Sequence, residues 1–161
     1  MLFDERGLLS PPEVLTLSVA EFEKLFVNQF PNSATRHSIF ASYRRFADDF
    51  SREVCSAFTH WIDGSFVTDK LNPNDMDFVV HIKQEVYVTK ELLIESTFRL
   101  AGAKRVYSDL DVYAVRSYPA DDPKRYLTEH DLAYWYDWFT HTRLNRTGKR
   151  NRKGFVEIIY S

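Results

Sequence analysis

Residues 61–80 leave the backbone few solutions. Trp61-Ile62 leads into Asp63-Gly64-Ser65-Phe66-Val67, a polar loop carrying Asn72, Pro73 and Asn74 follows, and the chain then enters Asp75-Met76-Asp77-Phe78-Val79-Val80. Glycine and serine between apolar segments specify a turn, and a β-branched run opening on two aspartates specifies a short strand. In an extended strand, residues two apart share a face, with Cα atoms roughly 6.5–7 Å apart. Asp75 and Asp77 therefore point one way, and Met76, Phe78 and Val80 the other. Two carboxylates on one face repel each other, and a bound divalent cation is the usual physical reason to keep them there. An Asp-x-Asp at a strand start also occurs as a plain solvated loop end.

The flanking sequence supplies helices and further strands. Residues 1–17 read as irregular, with Pro11-Pro12 forbidding a helix. Ser18 followed by Glu21 is a capping-box signal, and Phe22, Leu25, Phe26 and Phe30 follow at helical spacing until Pro31-Asn32-Ser33. A second helix is predicted over 34–58, where Ile39, Tyr43, Phe46, Phe50, Val54 and Phe58 recur at three and four residues. A third is predicted over 89–101, with Leu92, Leu93, Phe98 and Leu100 as its core face and Gly102 as its end. Residues 105–115 alternate as a strand, with Asp109, Asp111 and Tyr113 on one face and Leu110, Val112 and Ala114 on the other. Residues 128–142 read as a helix capped by Thr128, with Tyr134, Trp135, Tyr136, Trp138 and Phe139 nearly all round it, so it is either deeply packed or docked on a partner. Residues 154–160 read as a closing strand.

At 161 residues the chain suits one domain, with an amino-terminal helical extension over about 1–33 and a carboxy-terminal aromatic helix and strand over about 128–161. Hydrophobic residues make up 44%, enough for a real core, and the net charge of −2 gives no global reason to expect a nucleic-acid partner. The single cysteine, Cys55, excludes an internal disulfide and a thiolate zinc site and fits a reducing compartment. The five histidines show no metal-ligand spacing. No apolar run approaches about 18 residues, and the amino terminus lacks a signal pattern, so the expectation is a soluble cytoplasmic protein.

An apolar-Gly-Ser turn, nine intervening residues, Asp-x-Asp on a strand and a later acid on another strand together resemble the polymerase-β-like nucleotidyltransferase superfamily, particularly its minimal bacterial and phage members. The matching residues are Gly64, Ser65, Asp75, Asp77 and, on the later strand, Asp111, for which Asp109 competes. The resemblance implies an α/β fold, a small mixed, twisted sheet with helices mainly on one face. It implies transfer of a nucleoside monophosphate from an NTP, ATP included, to a hydroxyl on a protein or RNA acceptor. Toxin–antitoxin or phage-defence settings and a toxin or antitoxin partner are implied with it. Asp75, Asp77 and Asp111 would be the catalytic metal ligands. Mg²⁺ (or Mn²⁺) suits them, because such ions take oxygen ligands from one or two carboxylates and substrate phosphates. Gly64 would let the backbone approach a phosphate, Ser65 would offer a hydroxyl and an amide, and Thr68 and Lys70 lie where they reach phosphates. Asp63 is expected to order the turn by hydrogen bonding.

Residues 143–153 hold Arg143, Arg146, Lys149, Arg150, Arg152 and Lys153 with no acid among them. Such a run can hold a triphosphate, an RNA or an acidic partner protein, or be a solvated hairpin loop. Arg36 and His37, at the start of the second helix, are an anion-site candidate, with capping or surface exposure as the alternative. The rival to an enzyme is a catalytically inactive binding module of the same fold, or a nucleotide sensor.

Overall fold

The computed structural model describes residues 1–100 and 107–161. Five strands form one mixed sheet: β1 (Val14–Thr16), β2 (Phe58–Asp63), β3 (Met76–Lys83), β4 (Leu110–Ser117) and β5 (Phe155–Tyr160), in spatial order β1-β5-β2-β3-β4. β1 runs parallel to β5 and β3 parallel to β4, while β2 is antiparallel to both β3 and β5. A parallel pair needs a long return connection. Here it contains α3 (Gln84–Thr89), α4 (Glu91–Leu93) and a π-turn at Ile94–Phe98.

Alternation along β3 divides the structure. Met76, Phe78, Val80 and Ile82 enter the main core with Phe22 and Phe26 from α1 (Val19–Glu23) and the π-turn after it, and with Tyr43, Phe46 and Phe50 of α2 (Arg36–Glu53). Val79 points to the other side, where it meets Val115, Phe155 and Phe139 of α5 (Arg125–Phe139). β3 is buried on both faces, which is why its sequence is almost continuously apolar after Asp77. The architecture is thus the expected mixed α/β one, with α1–α4 against one face and, among the described residues, α5 alone on the other. The main core is built from rings meeting edge to face: Phe46 with Phe78 (5.2 Å, 80°), Phe46 with Phe98 (5.5 Å, 84°) and Tyr43 with Phe78 (5.4 Å, 89°).

Several element bounds differ from the sequence expectation. The capping box forms as expected: the Glu21 N–H donates to Ser18 Oγ at 3.2 Å and the Ser18 N–H to the Glu21 carboxylate at 2.8 Å. Residues 1–17 are not wholly irregular, because Val14–Thr16 pairs with β5; three residues are too few to show a period. α2 ends at Glu53, and Phe58 opens β2 instead of closing the helix. The apolar four-residue series misled because Phe58 returns to the same core, 5.0 Å from the Phe50 ring, along a different backbone. The third helix begins at Gln84 and ends in a left-handed Arg99 (φ 48°), with Leu92 exposed. Ala101, Gly102 and the first residues of the 105–115 strand lie outside the described residues. α5 starts at Arg125, and Thr128 is no cap: it is buried, accepts the Tyr118 N–H at 2.9 Å and donates to the Arg116 carbonyl at 3.0 Å, tying α5 to the end of β4. Among the described residues no helix is long and apolar enough to cross a membrane.

Candidate functional site

Three aspartates stand in one row across the sheet. Asp63 ends β2 opposite Asp77, and Asp77 stands beside Asp111 at the start of β4. Neighbouring strands lie about 4.8 Å apart, so adjacent members of the row have overlapping reach. Their flanking residues Ile62, Phe78 and Val112 belong to the core under α2, so the aspartates face the α5 side. All three line one cleft of about 920 Å³ together with Gly64 and Thr68. Asp109 does not compete for this row. Its Oδ2 accepts a 2.8 Å hydrogen bond from Ser42 of α2, which draws it toward the opposite face.

Gly64 is required by the row itself. It adopts φ 79°, ψ −166°, and a Cβ built on it would fall on the Asp77 carboxylate. No L side chain fits there, which is why the turn carries glycine beside Asp77. Asp63 stands at the entry to the turn, where the adjoining Gly64 N–H helps hold its carboxyl down. It is nine-tenths buried and ion-paired to Lys153, itself buried in the segment leading into β5. Burial pushes the Asp63 carboxyl above its usual range, and the Lys153 ammonium opposes that shift. Tyr113, two residues along β4, sets its hydroxyl 3.5 Å from Asp111 Oδ2.

The remaining sequence candidates lie at the margin. Asp75 is half-buried immediately before β3, and Ser65 opens a single 3-10 turn, Ser65–Val67, whose first carbonyl accepts the Thr68 hydroxyl at 2.7 Å. Lys70 is exposed. Thr68, and not Ser65, Lys70 or Asp75, is among the residues lining the cleft. Among the described residues, no three His, Cys, Asp or Glu side chains form a group able to hold a metal by themselves. Asp77 and Asp111 in register, with the glycine beside Asp77, nevertheless fit an ion of the magnesium type. Such an ion takes one or two carboxylates and completes its octahedron with water and substrate phosphate, without an all-protein cage.

Two parts of the site escaped the sequence. Arg36 is not an anion site; it is fully buried. Its Nη1 donates to the carbonyls of Phe26 and Phe66, both at 2.7 Å, and its Nη2 to those of Thr68 (2.9 Å) and Lys70 (2.5 Å). The guanidinium lies 3.8 Å from the Phe30 ring centroid, and burial pulls its pKa down to about 10. It thereby fixes the loop that leads from the glycine turn toward Asp75. The second part is the cleft wall, where Tyr113, Tyr134, Trp135 and Trp138 face the aspartates and Arg143 and Arg150 stand at the edge. The ring pattern of α5 was visible, but not that one of its sides would enclose the acids.

A family model matches residues 1–159. The chain belongs to DUF6932, a family of unknown function. Neither a curated protein nor a solved structure matches it.

Proposed function

We propose that this protein is a metal-dependent nucleotidyltransferase that moves a nucleoside monophosphate from an NTP to a hydroxyl. The observation that carries the reading is the register of Asp77 with Asp111 beside a glycine that leaves room for nothing but the Asp77 carboxylate. Asp77 and Asp111, with Asp75 at the strand entrance, would hold Mg²⁺ or Mn²⁺, which when bound supplies charge neutralisation for the triphosphate and the acceptor oxygen. Gly64 exposes its backbone to a phosphate, and Thr68 presents its side chain to the same cleft. Arg36 keeps the Phe66–Lys70 backbone in one conformation, so the loop does not have to be ordered when substrate arrives. Lys153 balances the Asp63 carboxylate within the row. The acceptor oxygen attacks the α-phosphorus, the bond to the bridging oxygen of the β-phosphate breaks, pyrophosphate leaves, and the hydroxyl proton passes to water.

The test is transfer of label. Each of the four NTPs, labelled at the α-phosphate, is incubated with the protein, Mg²⁺ or Mn²⁺ and a cell lysate. Label is expected on protein or RNA, lost at least a hundredfold in Asp77→Asn and Asp111→Asn, in keeping with the usual scale of a removed electrostatic group. No transfer from any NTP, with calorimetric NTP binding retained, would make the chain a nucleotide sensor. No transfer and no NTP binding would leave a binding module.

A further inference from the structure

The cleft is larger than the aspartate row needs, and its remaining surface has a chemistry of its own. α5 contributes Tyr134, Trp135 and Trp138 to the wall facing the acids. Tyr134 and Trp138 are about half exposed, at 54% and 45%, and their rings run parallel within 8°. Neighbouring exposed rings that form one patch, unlike rings scattered singly, mark a surface that binds something. The chain leaving α5 lines the same cleft with Arg143 and Arg150. Arg150 is committed to Asp137 at 3.2 Å, but Arg143, Arg146, Lys149 and Arg152 are exposed and make no ion pair among the described residues. Flat, half-exposed rings beside a run of uncompensated cations match a polymer that offers planar bases and one phosphate per unit. An acidic peptide would satisfy the cations and leave the rings uncovered.

We propose that the acceptor is a single-stranded nucleic acid. Its bases stack on the Tyr134–Trp138 side of α5, its phosphates lie along residues 143–152, and its terminal hydroxyl is delivered to the Asp77–Asp111 row. This rests on the nucleotidyltransferase reading for the role of acceptor, but the binding itself does not.

Binding is therefore measured without catalysis. The anisotropy of fluorescein-labelled oligo-rU and oligo-dT of about twelve nucleotides, within the usual footprint of such surfaces, is followed in EDTA. At least one oligonucleotide should bind, and Tyr134→Ala/Trp138→Ala should weaken it at least tenfold, about 1.4 kcal/mol. Tyr126→Ala, an exposed ring on the same helix away from the cleft, should leave it unchanged. Arg146→Gln/Lys149→Gln lies on an exposed loop and should flatten the salt dependence by about 1.4 in log–log slope, about 0.7 per cation. The inference fails if neither oligonucleotide binds. It also fails if the ring double variant binds as the parent does, or if an acidic peptide competes as well as unlabelled oligonucleotide. Binding that survives alongside absent nucleotide transfer would overturn the enzymatic role and the delivery of a hydroxyl, while transfer onto protein with no oligonucleotide affinity would overturn the acceptor alone.

Discussion

The two faces of the sheet share their strands and differ in almost everything else. Under α2 the face is closed. Its rings interlock, and the Tyr43 hydroxyl meets His60 Nδ1 and the Tyr160 hydroxyl inside it, both at 2.9 Å. Under α5 the face is open. Beyond the small cluster of Phe139 and Phe155, its Tyr134 and Trp138 rings are about half exposed, and its acids and bases line a cleft. Because side chains alternate, Phe78 and Asp77 are neighbours in sequence yet belong to opposite regimes. One strand thus anchors the fold with its even positions and brings Asp77 to the cleft from the other side, so ligand contacts there can vary without disturbing the packing under α2.

Substitutions that separate the faces test this division. Phe78→Ala removes a fully buried ring from the closed face and should cost about 3–5 kcal/mol in urea unfolding. A loss under 1 kcal/mol would mean the closed face is not the anchor. Lys153→Met attacks the buried ion pair of the open face; leaving Asp63 uncompensated should cost about 3 kcal/mol, and Asp63→Asn in the same chain should recover part of it. No recovery would show that Lys153 acts through packing and not through charge. The closed face should also carry a pH signature. Burial pulls His60 from 6.5 down to about 3, so the folded state binds fewer protons than the unfolded state between those values. The His60 share of stability should be level above pH 6.5 and fall by up to about 1.4 kcal/mol per pH unit as the pH drops toward 3; His60→Gln should remove that share and leave the part due to His81, which burial pulls down to about 4. Smallest of all, Trp138→Ala on the open face should shift stability by about 0.5 kcal/mol or less, however strongly it affects ligand binding.

What the residues disclosed in advance follows the same division between local and distant causes. Met76, Asp77 and Phe78 fixed their own facing by strand alternation, and Gly64 announced a turn that only glycine can make. Ser18 and Glu21 likewise specified their capping box within four residues. Lys153 could not be placed at Asp63, ninety residues away, because nothing in a basic run marks one member as buried. Arg36 was opaque for the same reason: its partners are backbone carbonyls, which leave no trace in side-chain pattern. Asp109 and Asp111 were equivalent by alternation and became distinct only when Ser42 of α2 claimed one of them.

The place of β5 bears on when the cleft can exist. It lies between β1 and β2, although it is the fifth strand along the chain. During synthesis, β2 must wait with a bare hydrogen-bonding edge while nearly a hundred residues are added, a state prone to illicit pairing with other chains. The same late segment brings Lys153 to Asp63. A ribosome-bound chain stopped short of it lacks the ammonium that pairs with Asp63, so the cleft matures only as β5 docks.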